Sequence, residues 1–173
     1  MKKYLKQLSR IYENINNVVI AYHGSRGNDK FDNPNMKGIW FAEDKDSDII
    51  NYYSGRGKLI TAKIILGSNL DLSMYNTDEK MNASYAESFL IDMGLADNIV
   101  NRYINLFFYE DMETGYDEFT DEPVLSATII LNHIIEYEFI PNKMYESISI
   151  MEGDNNLTYC ILDSGNIEII DVS

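Results

Sequence analysis

The chain has 173 residues, enough for one compact domain and short for two, and 45% hydrophobic with 12% aromatic residues lets it bury a core, which excludes disorder and fibrous repeats. Its 28 acidic residues against 14 basic ones leave a net charge of −14, which argues against non-specific binding to nucleic acid through phosphate neutralisation. No apolar run approaches the ~20 residues of a membrane helix, and Met-Lys-Lys-Tyr-Leu-Lys at the N-terminus lacks the apolar stretch of a signal peptide, so a cytoplasmic protein without membrane contact is expected.

Tyr4, Leu5, Leu8, Ile11, Tyr12 and Ile15 recur at helical spacing and predict an amphipathic helix over residues 4–15. Val18 to Tyr22 is a β-rich run that stops at His23-Gly24-Ser25-Arg26-Gly27, a strand ending in a glycine turn. After a polar loop over 28–37, Gly38-Ile39-Trp40-Phe41-Ala42 reads as a second strand. Asp46 or Ser47 then offers an N-cap for a short helix through Ile49, Ile50 and Tyr53. Leu59 to Leu66 predicts a third strand, and Asn69 to Leu72 an extended segment. Residues 78–110 predict two helices broken near Gly94, and Glu110 to Glu122 an exposed acidic loop. Pro123 is expected to open a last helix to about Glu136. Three short strands follow, at Ser147–Ile150, Tyr159–Leu162 and Ile167–Ile170. Strand-rich ends around a helical middle predict a single α+β domain over 1–173 rather than a doubly wound sheet.

Charge is unevenly placed. Through Lys63 there are 11 Lys/Arg against 7 Asp/Glu, and from Ile64 onward 3 against 21, so +4 is followed by −18. Asp44, Asp46 and Asp48 imitate a calcium loop, but Ile49 and Gly55 stand where the turn glycine and the last glutamate belong. Phosphate-loop, dinucleotide and nucleophile-elbow motifs are missing, and His23 and His133 lack metal-ligand spacing, so no metal site is expected. Cys160, alone, excludes an internal disulfide.

One ordered set of residues carries chemistry. A strand ending Tyr22-His23-Gly24-Ser25, then Gly38-Ile39-Trp40-Phe41-Ala42, then a helix with Asn51-Tyr52, then a strand ending Leu66-Gly67 resembles the NAD-binding half of ADP-ribosyltransferases of the diphtheria-toxin and poly(ADP-ribose) polymerase type. The same order is similar to small transferase domains of phage polyvalent proteins and of some phage anti-CRISPR proteins. The resemblance covers residues 18–72 and resumes weakly over 144–170. It implies an α+β fold of two packed, mainly antiparallel sheets around an NAD cleft, with a helical insertion at about 73–143.

By position, the resemblance implies that His23 bonds the adenine-side ribose of NAD and that the Gly24 backbone meets the nicotinamide carboxamide. Ser25 and Arg26 would lie toward the adenosine and pyrophosphate, and Ser47 would reach the carboxamide. Trp40 occupies the place of the signature tyrosine, and Tyr52 or Tyr53 would stack on the other face of the nicotinamide. Nicotinamide in NAD is flat and cationic, so an aromatic clamp gains area and cation–π attraction, on the order of 1–2 kcal/mol when desolvated.

The family's glutamate precedes a Tyr-x-x-x-Asp strand. Here that strand is Tyr159 to Asp163, and Thr158 stands at the acid's position. Asp154 and, second, Glu152, in the turn upstream, are the candidate acids. A carboxylate is wanted because cleavage of the nicotinamide–ribose bond develops oxocarbenium character on the sugar. The resemblance thus implies a mono-ADP-ribosyltransferase of phage or mobile-element origin that modifies a host protein, a defence or CRISPR component among the candidates. That target would dock on the acidic or helical region. Two alternatives stand beside it: a catalytically silent relative that inhibits a partner through its acidic surface, and an NAD glycohydrolase toxin.

Overall fold

A computed structural model describes residues 17–25, 37–48, 50–51, 57–110, 115–117, 119–154 and 156–173. The amphipathic segment 4–15, most of the 28–37 loop, Ile49, and Arg26, Tyr52 and Tyr53 among the site candidates lie outside them.

Strand β1 (Val18–Ser25) pairs antiparallel with β3 (Lys58–Ile65) over its whole length, from Val18 opposite Ile65 to Ser25 opposite Lys58. That continuous register carries β1 through His23-Gly24 to Ser25, beyond the glycine stop read from sequence. β10 (Ile167–Val172) pairs with the other edge of β3, with a bulge between Ile169 and Asp171. A second group runs β2 (Ile39–Ala42), β9 (Asn156–Ile161), β8 (Ser147–Glu152) and β4 (Asn69–Asn76), in which β8 and β4 are parallel. Among the described strands, the two groups pair where β1 joins β2, in a register that contains one pair, Tyr22 opposite Ala42. The result is one continuous seven-stranded sheet, β10-β3-β1-β2-β9-β8-β4, where two packed, mainly antiparallel sheets are expected.

That sheet cannot be flat. From β3 to β4 there are five strand spacings, about 24 Å. Residues 66–68 alone connect them, and the four Cα steps from Ile65 to Asn69 span at most about 15 Å. The two halves must therefore fold toward each other about the Tyr22–Ala42 bridge. Between them lies a small cluster drawn from both: Ala21, Ala62 and Ile64 from one half, Phe41, Tyr159 and Ile161 from the other. Ser147 closes the fold by donating its hydroxyl to the Leu66 carbonyl at 2.6 Å.

The outer face of the four-stranded half carries the larger cluster, where Leu72, Ile148, Ile150 and Cys160 meet the helices. Helix α1 (Ala83–Asp92) starts at Asn82, whose side chain accepts from the Tyr85 N–H at 3.0 Å. It stops before Gly94, which holds φ +77°, and α2 (Asp97–Phe108) follows, as the break near that glycine predicts. The insertion also contains a three-stranded sheet that the sequence pattern did not reveal: β5 (Lys80–Met81), β6 (Gly115–Tyr116) and β7 (Pro123–Ser126). Pro123 opens β7 instead of a helix, at a strand's first position where its missing N–H is tolerated. The helix α3 (Ala127–Ile134) starts four residues later because Ser126 caps it through the Ile129 N–H, and it widens into a π-type turn over Ile135–Phe139.

Gly38, just before β2, has φ +74°, and a Cβ there would stand 2.5 Å from Cys160 Sγ and 3.1 Å from the Ile161 carbonyl. Strain and clash act together at this position, so Gly38→Ala is expected to lower stability by about 2–4 kcal/mol in urea denaturation. A loss under 1 kcal/mol would show that β2 and β9 are not packed this closely.

Candidate functional site

The seam between β1 and β2 brings His23, Gly24 and Trp40 together. His23 shares the face of Ala21, and its ring meets the Phe41 ring directly across the seam, with centroids 5.7 Å apart. Its Nδ1 lies 2.7 Å from the Trp40 carbonyl oxygen. A carbonyl only accepts, so Nδ1 carries the proton; burial, partly offset by that bond, lowers the ring's pKa below its ordinary value. The imidazole is therefore neutral near pH 7, with Nε2 as its acceptor nitrogen.

This bond also sets the direction of the backbone. The Trp40 carbonyl points to β1, and peptide groups two residues apart share an edge, so Ala42 also faces β1. Its partner Tyr22 then faces β2, and Gly24, two residues on, turns its own N–H and C=O into the seam. There the register has already ended.

Trp40 alternates to the face opposite Phe41. Its indole packs beside the helical cluster, and Nε1–H donates to the Lys37 carbonyl at 3.0 Å. Imidazole and indole thus stand on opposite faces of the sheet, linked through the Trp40 backbone. A ligand touching both has to lie along the end of the seam, not between two facing rings. Lys37 in turn pairs with Glu136 at 3.0 Å and so ties the start of β2 to the helical layer.

Ser25 is buried beyond Gly24. Ser47 is buried too, and its hydroxyl accepts from the Ile50 N–H at 3.3 Å, the N-cap role read from sequence. Thr158, at the position of the family's acid, is buried and donates its hydroxyl to the Ile150 carbonyl at 2.9 Å.

The two candidate acids differ sharply. Asp154 is exposed in the β8–β9 turn. Glu152, the last residue of β8 and opposite Asn156, is only partly exposed and shares the face of Ile148 and Ile150, hence of Trp40. Desolvation first, and the nearby Asp78 carboxylate second, push its carboxyl up to about 7. Asp78 is the residue that sequence reasoning missed. The turn carrying it is fastened to the hairpin by Thr77 N–H to the Met151 carbonyl at 2.9 Å and by Asn76 Nδ2 to the Gly153 carbonyl at 2.7 Å. With Asp78 and Glu152 74 positions apart, no local pattern could announce the pair. Along the strands, Glu152 stands four residues from Ile148, which shares its row with Cys160 and Trp40. That places the acid about 13 Å from the Trp40 row.

A carboxyl whose pKa rises on folding favours the folded state while neutral, so its contribution is lost as pH climbs from about 4.5 to about 7. Glu152→Gln is expected to match the parent at pH 4 and to be more stable by about 1–3 kcal/mol at pH 8. Equal denaturation midpoints for the two proteins across that range would show that Glu152 is not held in a desolvated site.

No family model matches the chain, and no curated protein sequence matches it. Among solved structures the chain is similar to one described as the crystal structure of an anti-CRISPR protein, at 14% identity and a TM-score of 0.42, over 88% of this chain and 96% of that one.

Proposed function

We propose that the protein is an NAD-dependent mono-ADP-ribosyltransferase that modifies a protein target, with Glu152 as its acid. The observation that carries this reading is the parted seam. A neutral imidazole is fixed by Nδ1 to the Trp40 carbonyl, and beside it a glycine directs its backbone into an opened ladder. An adjacent glycine N–H and C=O can satisfy a carboxamide, which needs one donor and one acceptor. Trp40 supplies the ring face for a flat cation from the outer side. The order of these residues also supports a phage or mobile-element origin and a host protein as target.

Glu152 is favoured over Asp154 because a carboxylate stabilises developing positive charge far better from a desolvated position than from open water. As nicotinamide leaves, positive charge develops on the anomeric carbon, and the ionised Glu152, on the same face as Trp40, would offset it through its field. A nucleophile on the target then attacks that carbon and loses its proton. The acid works only when ionised, so the rate is expected to rise with pH through about 7.

The test is incubation with NAD labelled on the adenylate and a host lysate, followed by release of nicotinamide and label on protein. Label on one or a few proteins is expected. Glu152→Gln should reduce it at least about 100-fold, the scale of losing a preorganised electrostatic group, while Asp154→Asn changes it less than about threefold. Free ADP-ribose without modified protein would select the glycohydrolase reading. Neither label nor nicotinamide release would reject NAD chemistry.

A further inference from the structure

The β6–β7 hairpin holds an aromatic side chain out in water. Phe119 is 94% exposed, and Tyr116, three residues before it, is 63% exposed. The turn that carries them is fixed from both sides. The Asp117 carboxylate accepts from the Phe119 N–H at 2.9 Å, the Thr120 N–H at 3.0 Å and the Thr120 hydroxyl at 3.2 Å. The Asp117 N–H donates to the Glu122 carbonyl, and the Asp121 N–H to the Asp117 carbonyl. The Glu122 carboxylate accepts from Asn82 Nδ2 at 3.1 Å, which braces the hairpin against the start of α1. These bonds fix the backbone of the turn, from which the Phe119 ring stands out into water. Ordered, exposed aromatic side chains are the groups that anchor protein–protein contacts when a partner supplies a pocket.

The surroundings define the partner. Among the described residues of this stretch Glu110, Asp117, Asp121 and Glu122 are acidic and none is basic, the sequence from Glu110 to Glu122 as a whole holds seven acids and no base, and Lys80 acts on Asp117. Phosphate backbones and anionic membrane surfaces are repelled by such a segment. A basic protein surface is attracted to it.

We infer that Phe119 and Tyr116 are the anchor of a docking surface for a protein partner whose matching site is an apolar pocket rimmed by lysine or arginine. This deepens the proposed transferase reading, on which it rests for the partner's identity as the protein modified; the docking itself needs no NAD. The acidic segment guides approach and the ring gives the contact its lifetime. Among the described residues, the hydrogen bonds of the hairpin reach neither the seam nor Glu152.

The experiment uses the full chain and a synthetic pool of 12-residue peptides in which lysine and arginine flank leucine, isoleucine or phenylalanine. Two control pools replace the apolar residues by serine or the basic ones by glutamate. Fluorescence anisotropy at 50 and 200 mM salt reads binding, and thermal melting confirms the fold of each variant. Binding of the first pool alone, weakened about tenfold or more by Phe119→Ser and kept by Phe119→Trp, is expected. The pair Asp121→Asn and Glu122→Gln keeps the positive φ of Asp121 and the bond to Asn82, and should weaken binding while flattening its salt dependence. Binding unaffected by Phe119→Ser, binding that depends on charge alone, or no preference for the first pool overturns the inference. So does self-association in sedimentation that Phe119→Ser abolishes, since the occupant would then be a second copy. A protein that docks these peptides yet releases no nicotinamide keeps this inference and loses the transferase reading.

Discussion

The hydrogen bond from His23 Nδ1 to the Trp40 carbonyl is the interaction on which the arrangement depends. The sheet must fold because three residues join β3 to β4, and it folds where β1 and β2 share a single pair. At such a fold the strand edges part, and their peptide groups need partners. A side chain supplies one of them: the imidazole satisfies the Trp40 carbonyl and holds the second strand at a fixed distance from the first. Burial keeps that ring neutral, so the bond adds no charge to the small cluster of Phe41, Tyr159 and Ile161 beside it. The same geometry leaves Gly24 directed into the gap. One bond thus serves both the closure of the fold and the spacing of the seam.

Glu152 shows the opposite balance. Three backbone and side-chain bonds along the 76–78 turn and the β8–β9 hairpin press Asp78 toward a carboxyl that is already partly desolvated. Two acids in this position work against stability at neutral pH. Structural needs do not call for such a pair, since Thr158 and Ser147 nearby satisfy buried carbonyls with neutral hydroxyls. On the transferase reading proposed above, a group whose ionisation is made costly, at the end of the face that carries Trp40, would spend that cost when a cation develops on the substrate.

The charge asymmetry follows the architecture. The +4 portion of the chain supplies β1, β2 and most of β3, the strands that form the seam, while the insertion and the last hairpin hold the acids.

Alternation and punctuation determined much by themselves. The period of two in β3, with Ile60, Ala62 and Ile64 inward, the β-rich run before His23, and the glycine between α1 and α2 are local signals, and each element stands where its signal lies. The pieces of the seam were also legible, because His23-Gly24 and Trp40-Phe41 are short motifs at strand ends. The β5-β7-β6 sheet was not, since its strands have two to four residues, too few to show a period. Nor could the sequence decide which face Trp40 takes, or that Asp78 would reach Glu152. Face and proximity are set by register and by the bend of the sheet, which are properties of contacts between distant segments. Local pattern fixes what a residue can do, and only the packing of remote strands decides which residues do it together.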